Sequence, residues 1–262
     1  MIAPIVIPEI LRSATTGYAW LPVTDGESGA EVFRLSADGR PTLFLKCGTG
    51  RAAHDITAEV VRLEWLAGRL PVPAVRLFVR APEKAYLLMS AVPGTSAAAY
   101  LLSHPELHAE TVASLAHFLR EVHSLPVAEC PFHAGHAYRL AMARHNLEAG
   151  LVDTDDFDED RVGWTSEQVW SAMEGLLPLT FDRVVTHGDF SIDNILIEDG
   201  RVTGCIDVGR VGVADPYQDL AILWNCLADF GEEAQRTLWP AYGIQAPDTS
   251  KLQFHLYLDE FF

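Results

Sequence analysis

Positive charge is scarce in this chain of 262 residues. Its 19 lysines and arginines stand against 36 aspartates and glutamates, which gives a formal net charge of −17 with histidine neutral. A surface this negative repels phosphate backbones and anionic lipid. We therefore expect neither a nucleic-acid partner nor attachment to a membrane surface, and a cationic partner is favoured.

Cysteines are also few, and long apolar runs are missing. The four cysteines are widely spaced, with no CxxC pair and no Cys/His cluster typical of a zinc site or a small disulfide framework. No uninterrupted apolar stretch approaches the ~18 residues that a membrane-spanning helix needs. The first residues, MIAPIVIPEILRSA, lack the basic leading region of a signal peptide. We expect a cytoplasmic enzyme or binding protein.

The first third of the chain predicts an antiparallel sheet. Apolar residues form 49% of the composition, enough for a large core. Residues 31–35 and 42–46 are β-rich runs separated by the pair Asp38-Gly39, which is typical of a hairpin turn. Two more strands are predicted at 75–79 and 85–89.

Helical spacing of apolar residues dominates elsewhere. A helix is predicted to begin at Asp55 or Thr57 and to end before Pro71. Further helices are predicted over 112–122, over 138–148, and from residue 217 onward with breaks near the glycines at 231 and 243.

A turn-rich break, Ala-Val-Pro-Gly-Thr-Ser, covers residues 91–96. We place a lobe boundary there, so that residues 1–90 form an N-terminal lobe and residues 91–262 a C-terminal lobe. Strands return late in the second lobe, at 183–186, 195–198 and 202–207, and Asp199-Gly200 predicts a hairpin between the last two.

The most informative stretch is HGDFSIDN, residues 187–194. It places Asp189 and Asn194 five positions apart on a loop before this hairpin, and the far strand of the hairpin ends in Asp207. Phosphoryl transfer needs a carboxylate that accepts or orients the attacking hydroxyl. It also needs an amide oxygen and a second carboxylate as hard ligands for Mg²⁺. His187 is expected to hold the loop through hydrogen bonds.

Taken singly, each of these polar residues is more often a turn residue that bonds its own backbone. The ordered combination of HxDxxxxN, a hairpin and then IDxG favours the catalytic interpretation instead.

The catalytic loop resembles that of the protein-kinase-like phosphotransferases. The longer run HGDFSIDNILIEDGRVTGCIDVGRVGVADPYQDLA and the terminal LDEFF are similar to the aminoglycoside 3′-phosphotransferases. This resemblance implies an α+β, two-lobed, protein-kinase-like fold, with a small β-rich N-terminal lobe and a larger, mostly helical C-terminal lobe. It also implies that Asp189 is the catalytic base or orienting group, and that Asn194 and Asp207 hold Mg²⁺.

The same resemblance implies a binding site for ATP or GTP in the N-terminal lobe. Lys46 ends a strand, at the place of the lysine that contacts nucleotide phosphates in kinase-like enzymes, and Glu59 on the next helix is placed to pair with it. On its own, each is an ordinary strand-end lysine or an ordinary exposed helical glutamate. Together with the second-lobe motif, they are expected to form the ion pair of a kinase.

The rest of the nucleotide site is expected from the resemblance alone. The loop at 24–29 precedes a strand, and its backbone N–H groups, with Ser28, would cover the phosphates; it is not a full GxGxxG, and an ordinary hairpin turn has the same pattern. The adenine would lie against Phe44 and Ile206, with hydrogen bonds to backbone between Ser90 and Val92. Apolar residues at 44 and 206 are equally expected in a plain core.

Acidic residues fill six of the eight positions 153–160. Charge runs are usually solvated loops, but an aminoglycoside carries several ammonium groups that an acidic rim would attract. The resemblance implies that the drug is bound by residues of this acidic loop (153–160) and of the C-terminal tail (258–262): Asp156, Glu159, Asp160, Asp259, Glu260 and the carboxylate of Phe262.

Arg210 is expected near phosphate or substrate, with a surface salt bridge as the alternative. Where some relatives carry Arg-Asp, this chain has Asn225-Cys226, which bears on the drugs accepted.

The expected reaction is transfer of the γ-phosphoryl group from a Mg²⁺-bound nucleoside triphosphate to the 3′-hydroxyl of an aminoglycoside, by a monomer or weak dimer. Another acceptor (choline, homoserine, a sugar or a macrolide) is the main alternative, and the acidic loop and terminal LDEFF disfavour it. A silent nucleotide-binding protein is disfavoured because the base, the lysine and both metal ligands are present. A metal-dependent hydrolase is a weaker alternative.

Overall fold

The computed structural model describes residues 7–23 and 29–262. These residues form two compact units. One unit contains the described residues up to Pro93 together with Gly204–Gly209, and the other contains Gly94–Thr203 and Arg210–Phe262. The chain therefore passes between the units three times.

The first unit is built on a five-stranded antiparallel sheet in the order β1-β2-β3-β5-β4. Its elements are α1 (Glu9–Ala14), β1 (Ala19–Val23), β2 (Glu31–Ser36), β3 (Leu43–Thr49), α2 (Gly50–Leu66), β4 (Val75–Arg80) and β5 (Lys84–Ser90). The buried face of α2 packs against β3 and β5. Pro22 lies in β1, an edge strand, where the missing N–H is tolerated.

The second unit is mostly helical. Its elements are β6 (Thr95–Ser96), α3 (Ala97–Ser103), α4 (His108–His123), α5 (His136–Glu148), α6 (Ser166–Glu174), β7 (Val184–Thr186), β8 (Ile195–Glu198), β9 (Arg201–Cys205, whose last two residues belong to the first unit), β10 (Gly212–Ala214), α7 (Tyr217–Cys226), α8 (Glu232–Tyr242) and α9 (Thr249–Asp259). β7 pairs antiparallel with β10, and a small sheet has the order β6-β8-β9.

These elements confirm the predicted α+β fold with an antiparallel N-terminal sheet and a helical C-terminal part. Both hairpins lie where the Asp-Gly pairs predict them, and the turn of the second has Asp199 at φ 50°. The predicted start of α2 at Asp55 or Thr57 is wrong, because the helix begins at Gly50. Its first turns already bury Ala53 and Ile56, so packing extends the helix in the absence of a side-chain cap at Thr49.

Each unit has its own hydrophobic core. In the first, eight side chains from α1, β2, β3 and β5 pack together, namely Leu11, Phe33, Leu35, Leu43, Leu45, Cys47, Tyr86 and Leu88. In the second, Phe157 from the acidic loop and Phe261 from the tail pack with residues of α5, α6 and α9. Burial of a phenylalanine is worth about 1.5–3 kcal/mol, so both segments are held to the core. Of the helices in the described ranges, none is long and apolar enough to cross a membrane.

Candidate active site

The loop at 187–194 follows β7, and its backbone is hydrogen-bonded to Asp219. The Asp219 carboxylate, 0% exposed, accepts hydrogen bonds of 2.7 Å from the backbone N–H groups of both His187 and Gly188. Its Oδ2 also lies 3.0 Å from Nε2 of His123, whose Nδ1 is 2.7 Å from the Tyr242 hydroxyl. A buried carboxylate with these partners holds the loop backbone in one conformation.

Gly188 cannot be replaced without strain. Its φ is +85°, a region that favours glycine, and a Cβ there would lie 2.4 Å from the carbonyl oxygen of Arg210. The close approach of these two segments accompanies the proximity of Arg210 to Asp189.

Asp189 follows directly, with its side chain 34% exposed. The Asn194 side chain is turned toward the same loop, because its Nδ2 donates to the Asp189 carbonyl oxygen at 3.0 Å. With the nitrogen engaged in that bond, the amide oxygen is the atom suited to bind a cation. On the other side of Asp189, Nη1 of Arg210 lies 4.0 Å from its Oδ1.

Lys46 in the first unit lies between two carboxylates. Its Nζ is 3.0 Å and 3.2 Å from the two oxygens of Glu59, and it also contacts Asp207 Oδ1. Lys46 and Glu59 are buried, whereas the Asp207 side chain is 42% exposed. Asp207 has φ +55°, an uncommon conformation for a residue other than glycine, and such conformations concentrate at functional sites.

The residues expected around the adenine also belong to the first unit. Phe44, Ser90, Val92 and Ile206 are each half-buried. The Ser90 backbone N–H donates to the Ala74 carbonyl at 3.0 Å, which ties the end of β5 to the segment before β4. The predicted phosphate loop with Ser28 lies outside the described residues.

The acidic loop meets the C-terminal tail through Asp158. Arg161, which is buried, contacts both Asp158 and Glu260, and the Asp158 backbone N–H donates to Glu260 Oε1 at 3.3 Å. Nδ2 of Asn225 donates to Asp158 Oδ1 at 2.8 Å. The Glu260 side chain is only 7% exposed.

Asp158 and Arg161 were not among the residues predicted for the site. Asp156, Glu159 and Asp160, which were, are exposed. The sequence signal for the correct register is Phe157, the one apolar residue among these acidic ones. Its side chain enters the core, so the next residue is turned toward the tail.

A second arginine that was not predicted for the site contacts the C-terminal tail. Arg139 of α5 is 5% exposed; its guanidinium carbon is 3.9 Å from the ring centroid of Phe262, and its Nη2 is 3.6 Å from Asp259 Oδ1. The guanidinium of Arg210 lies 5.8 Å from the centroid of the same ring, and its Nη2 donates to a backbone oxygen of Phe262 at 3.5 Å. Two cations, Arg139 and Arg210, are therefore near the ring of Phe262.

The carboxylates of this region disturb each other's ionisation. Burial raises the pKa of Asp259; the cations Arg139 and Arg210 oppose this rise, and the carboxylates Asp189 and Asp158 add to it. Burial likewise raises the pKa of Glu260, against the stabilising contact of its carboxylate with Arg161. Asp158, Asp189 and Asp259 are thus close enough to one another for their charges to interact.

The fold and these groups define a phosphotransferase. The phosphotransferase enzyme family matches residues 19–255. The aminoglycoside 3′-phosphotransferase of Escherichia coli is 51% identical over 247 residues, which cover 94% of this chain and 91% of that protein. The chain belongs to the aminoglycoside phosphotransferase family.

Solved structures agree with this family. The crystal structure of an aminoglycoside-3′-phosphotransferase of type VIII superposes with a TM-score of 0.87 at 37% identity, over 97% of each chain. The aminoglycoside phosphotransferase APH(3″)-Id from Streptomyces rimosus, in complex with ADP and streptomycin, superposes with a TM-score of 0.81 at 29% identity, over 96% of this chain and 95% of that one. The predicted kinase-like fold is therefore confirmed.

Proposed function

We propose that the protein transfers the γ-phosphoryl group of a Mg²⁺-bound nucleoside triphosphate, ATP or GTP, to the 3′-hydroxyl of aminoglycosides such as kanamycin and neomycin, and so confers resistance. The observation that carries the acceptor class is the proximity of the carboxylates Asp158, Asp189 and Asp259: the first two add to the burial that raises the pKa of Asp259. Such repulsion is relieved when a ligand brings several ammonium groups.

On the acceptor side, Asp189 is the catalytic residue. Its partly exposed carboxylate accepts the proton of the drug hydroxyl, or orients that hydroxyl for attack on the γ-phosphorus. The buried contacts of Asp219 with the loop backbone keep it in place. Arg210 offers a cation 4.0 Å from Asp189, suited to stabilise negative charge on the transferred group.

The first unit, with the lobe of residues 1–90, supplies the nucleotide site in this proposal. Lys46 would contact the nucleotide phosphates, with Glu59 fixing its position through two hydrogen bonds. Phe44, Ile206 and the backbone between Ser90 and Val92 would receive the adenine, and Ser28 the phosphates.

Magnesium fits the donor chemistry of two residues. Asn194 has its amide nitrogen bonded to the Asp189 carbonyl, which leaves an oxygen for the cation, and Asp207 is a carboxylate in a constrained backbone conformation. Mg²⁺ prefers such oxygen ligands together with nucleotide phosphates. When bound, the ion would neutralise the charge of the phosphate oxygens. The remaining catalysis is positioning, since a loose transition state needs little covalent chemistry from the protein.

The drug would be bound in the second unit, the C-terminal lobe of residues 91–262. We propose Asp158 and Asp259, with the Phe262 carboxylate, as the principal partners of its ammonium groups. Glu260 would contribute through the oxygen that Arg161 does not engage. The exposed residues Asp156, Glu159 and Asp160 would attract the drug at longer range.

A second candidate is a different hydroxyl. The Streptomyces rimosus relative binds ADP and streptomycin and is named a 3″ enzyme, so streptomycin is the first alternative acceptor to test. A small acceptor of another class, such as choline, homoserine, a sugar or a macrolide, follows.

The test is a coupled assay of nucleotide consumption with Mg²⁺ and kanamycin, run beside a kanamycin analogue that lacks the 3′-hydroxyl and beside streptomycin. Of these three substrates, we expect only kanamycin to be turned over. Because the analogue has a similar positive charge, it separates binding from chemistry. Turnover of both kanamycin and the analogue would refute the 3′ position. Turnover of streptomycin but not of kanamycin would refute kanamycin as the acceptor and put streptomycin in its place.

A further inference from the structure

Arg139 is a buried cation that no part of the proposed reaction uses. It lies on α5, and only 5% of it is exposed. Its Nη2 is 3.6 Å from Asp259 Oδ1, beyond hydrogen-bonding distance, and its guanidinium covers the face of the Phe262 ring at 3.9 Å. Both partners belong to the C-terminal tail, 120 or more positions later in the sequence.

The contact depends on charge and stacking. Nε and Nη2 of Arg139 and Oδ1 of Asp259 are buried without a hydrogen-bond partner among the described residues. Burying an arginine costs free energy unless its charge is balanced nearby. Burial lowers the pKa of Arg139 to about 10, while the Asp259 carboxylate opposes this shift. The guanidinium is therefore still charged at neutral pH.

Asp259 is the group on which this cation acts most directly. The charged groups around it are the cations Arg139 and Arg210 and the carboxylates Asp189 and Asp158. Of the two cations, Arg210 also lies near Asp189 and Phe262, and its side chain is 39% exposed. Arg139 is enclosed, so solvent screens its field much less.

We propose that Arg139 is a positioning residue for the acceptor: its buried charge keeps Asp259 ionised and seats the Phe262 ring, and thereby sets the lower pH limit for aminoglycoside binding. This inference rests on the proposed function. A protonated Asp259 would lose its attraction for an ammonium group, so any change that favours its protonation weakens the drug complex without touching the phosphoryl donor.

Three substitutions test the inference by kinetics. Arg139→Met removes the charge and keeps the length, Arg139→Lys keeps a charge, and Arg144→Met on the exposed face of the same helix is the matched control. For Arg139→Met we expect the KM for kanamycin at pH 7 to rise about tenfold or more, with kcat and the KM for ATP changed less than about threefold. We expect the acidic limb of the kcat/KM profile to move up by about one pH unit, and Arg139→Lys to restore most of both.

A double-mutant cycle separates this role from simple loss of packing. In the Asp259→Asn background, Arg139→Met should change the KM for kanamycin less than about twofold, because the carboxylate it supports is gone. An effect as large as in the wild type would overturn the proposal. If Arg139→Met does not fold, Arg139→Gln takes its place in the cycle.

A readout without turnover distinguishes this inference from the proposed function. The ionisation of Asp259 can be followed by NMR with ¹³C-carboxyl aspartate, assigned from Asp259→Asn, with neither nucleotide nor drug present. We expect its midpoint to rise in Arg139→Met and to stay in Arg144→Met. An unchanged midpoint overturns the inference. A shifted midpoint in a protein that phosphorylates no aminoglycoside would support the coupling of Arg139 to Asp259. It would refute the proposal that the acceptor is an aminoglycoside.

Discussion

The Asp219 carboxylate is hydrogen-bonded to the backbone N–H of His187 at 2.7 Å, across 32 positions of sequence. The contact is fully buried and is shared with the next N–H, that of Gly188. A side chain on α7 thus determines the conformation of the loop that carries Asp189.

Replacement of Asp219 by asparagine should therefore act on both stability and rate. The amide offers one acceptor oxygen and turns an NH₂ group toward a backbone N–H. We expect Asp219→Asn to lower the free energy of unfolding by about 2–4 kcal/mol and kcat by at least about tenfold, measured by urea unfolding and by the coupled assay. Asp229→Asn, at an exposed position, is the control. Unchanged kcat in Asp219→Asn would show that the loop does not depend on this contact.

Asp189 should be essential for turnover and dispensable for nucleotide binding. We expect Asp189→Asn to lower kcat by about 10²–10⁴-fold, since general-base contributions have this size, with the Kd for ATP changed less than about threefold by calorimetry. Asp193→Asn, an exposed aspartate of the same loop, should have near-wild-type turnover. Near-normal turnover of Asp189→Asn would refute its assigned role.

Lys46 should contribute separately to nucleotide binding and to the stability of the fold. Lys46→Met leaves the buried Glu59 carboxylate without its cation, and we expect a loss of about 3 kcal/mol in unfolding free energy and a rise of at least about tenfold in the KM for ATP. The added change Glu59→Gln should recover stability without recovering the KM. Lys84→Met, at the start of β5, is the control. If the double variant also regained the KM for ATP, Lys46 would have only a structural role.

Much of this arrangement follows from local sequence. Both Asp-Gly hairpins and the loop at 187–194 depend on short-range patterns, and the pairing of Lys46 with Glu59 needs only a strand followed by a helix. Arg139 and Asp158 were missed for a physical reason. Periodicity indicates which face of a helix is buried but not which distant group meets it, and an acidic run does not show which of its members turns inward.

The start of α2 illustrates the same limit. Capping preferences favour Asp55 or Thr57, whereas the burial of Ala53 and Ile56 against the sheet extends the helix to Gly50. Tertiary packing outweighs the free energy of a cap, which is about 1 kcal/mol.

Stability should decline in mild acid because of His255. Burial, together with the neighbouring His136 and the cations Arg139 and Lys251, lowers the pKa of His255 well below its ordinary value of 6.5. In the unfolded chain this histidine takes up a proton as the pH falls through 6.5, whereas the folded protein resists it. The unfolded state is therefore favoured progressively below that pH, by about 1.4 kcal/mol per pH unit.

Unfolding in urea between pH 7.5 and 5 measures this effect. His255→Gln should have a shallower dependence of unfolding free energy on pH below 6.5, by about 1.4 kcal/mol per unit, and His117→Gln, on the exposed face of α4, should match the wild type. Equal slopes in all three proteins would mean that the pKa of His255 is the same in the folded and the unfolded protein.

The return of Gly204–Gly209 to the first unit has a consequence for the order of biosynthesis. Lys46 meets Glu59 after 13 further residues, but Asp207 only after 161. At roughly 5–20 residues per second, the ribosome needs about 8–30 s to make that interval. During that time Lys46 of the nascent N-terminal sheet can pair with Glu59 but not with Asp207. A fragment ending at Pro93 would lack the Asp207 contact permanently.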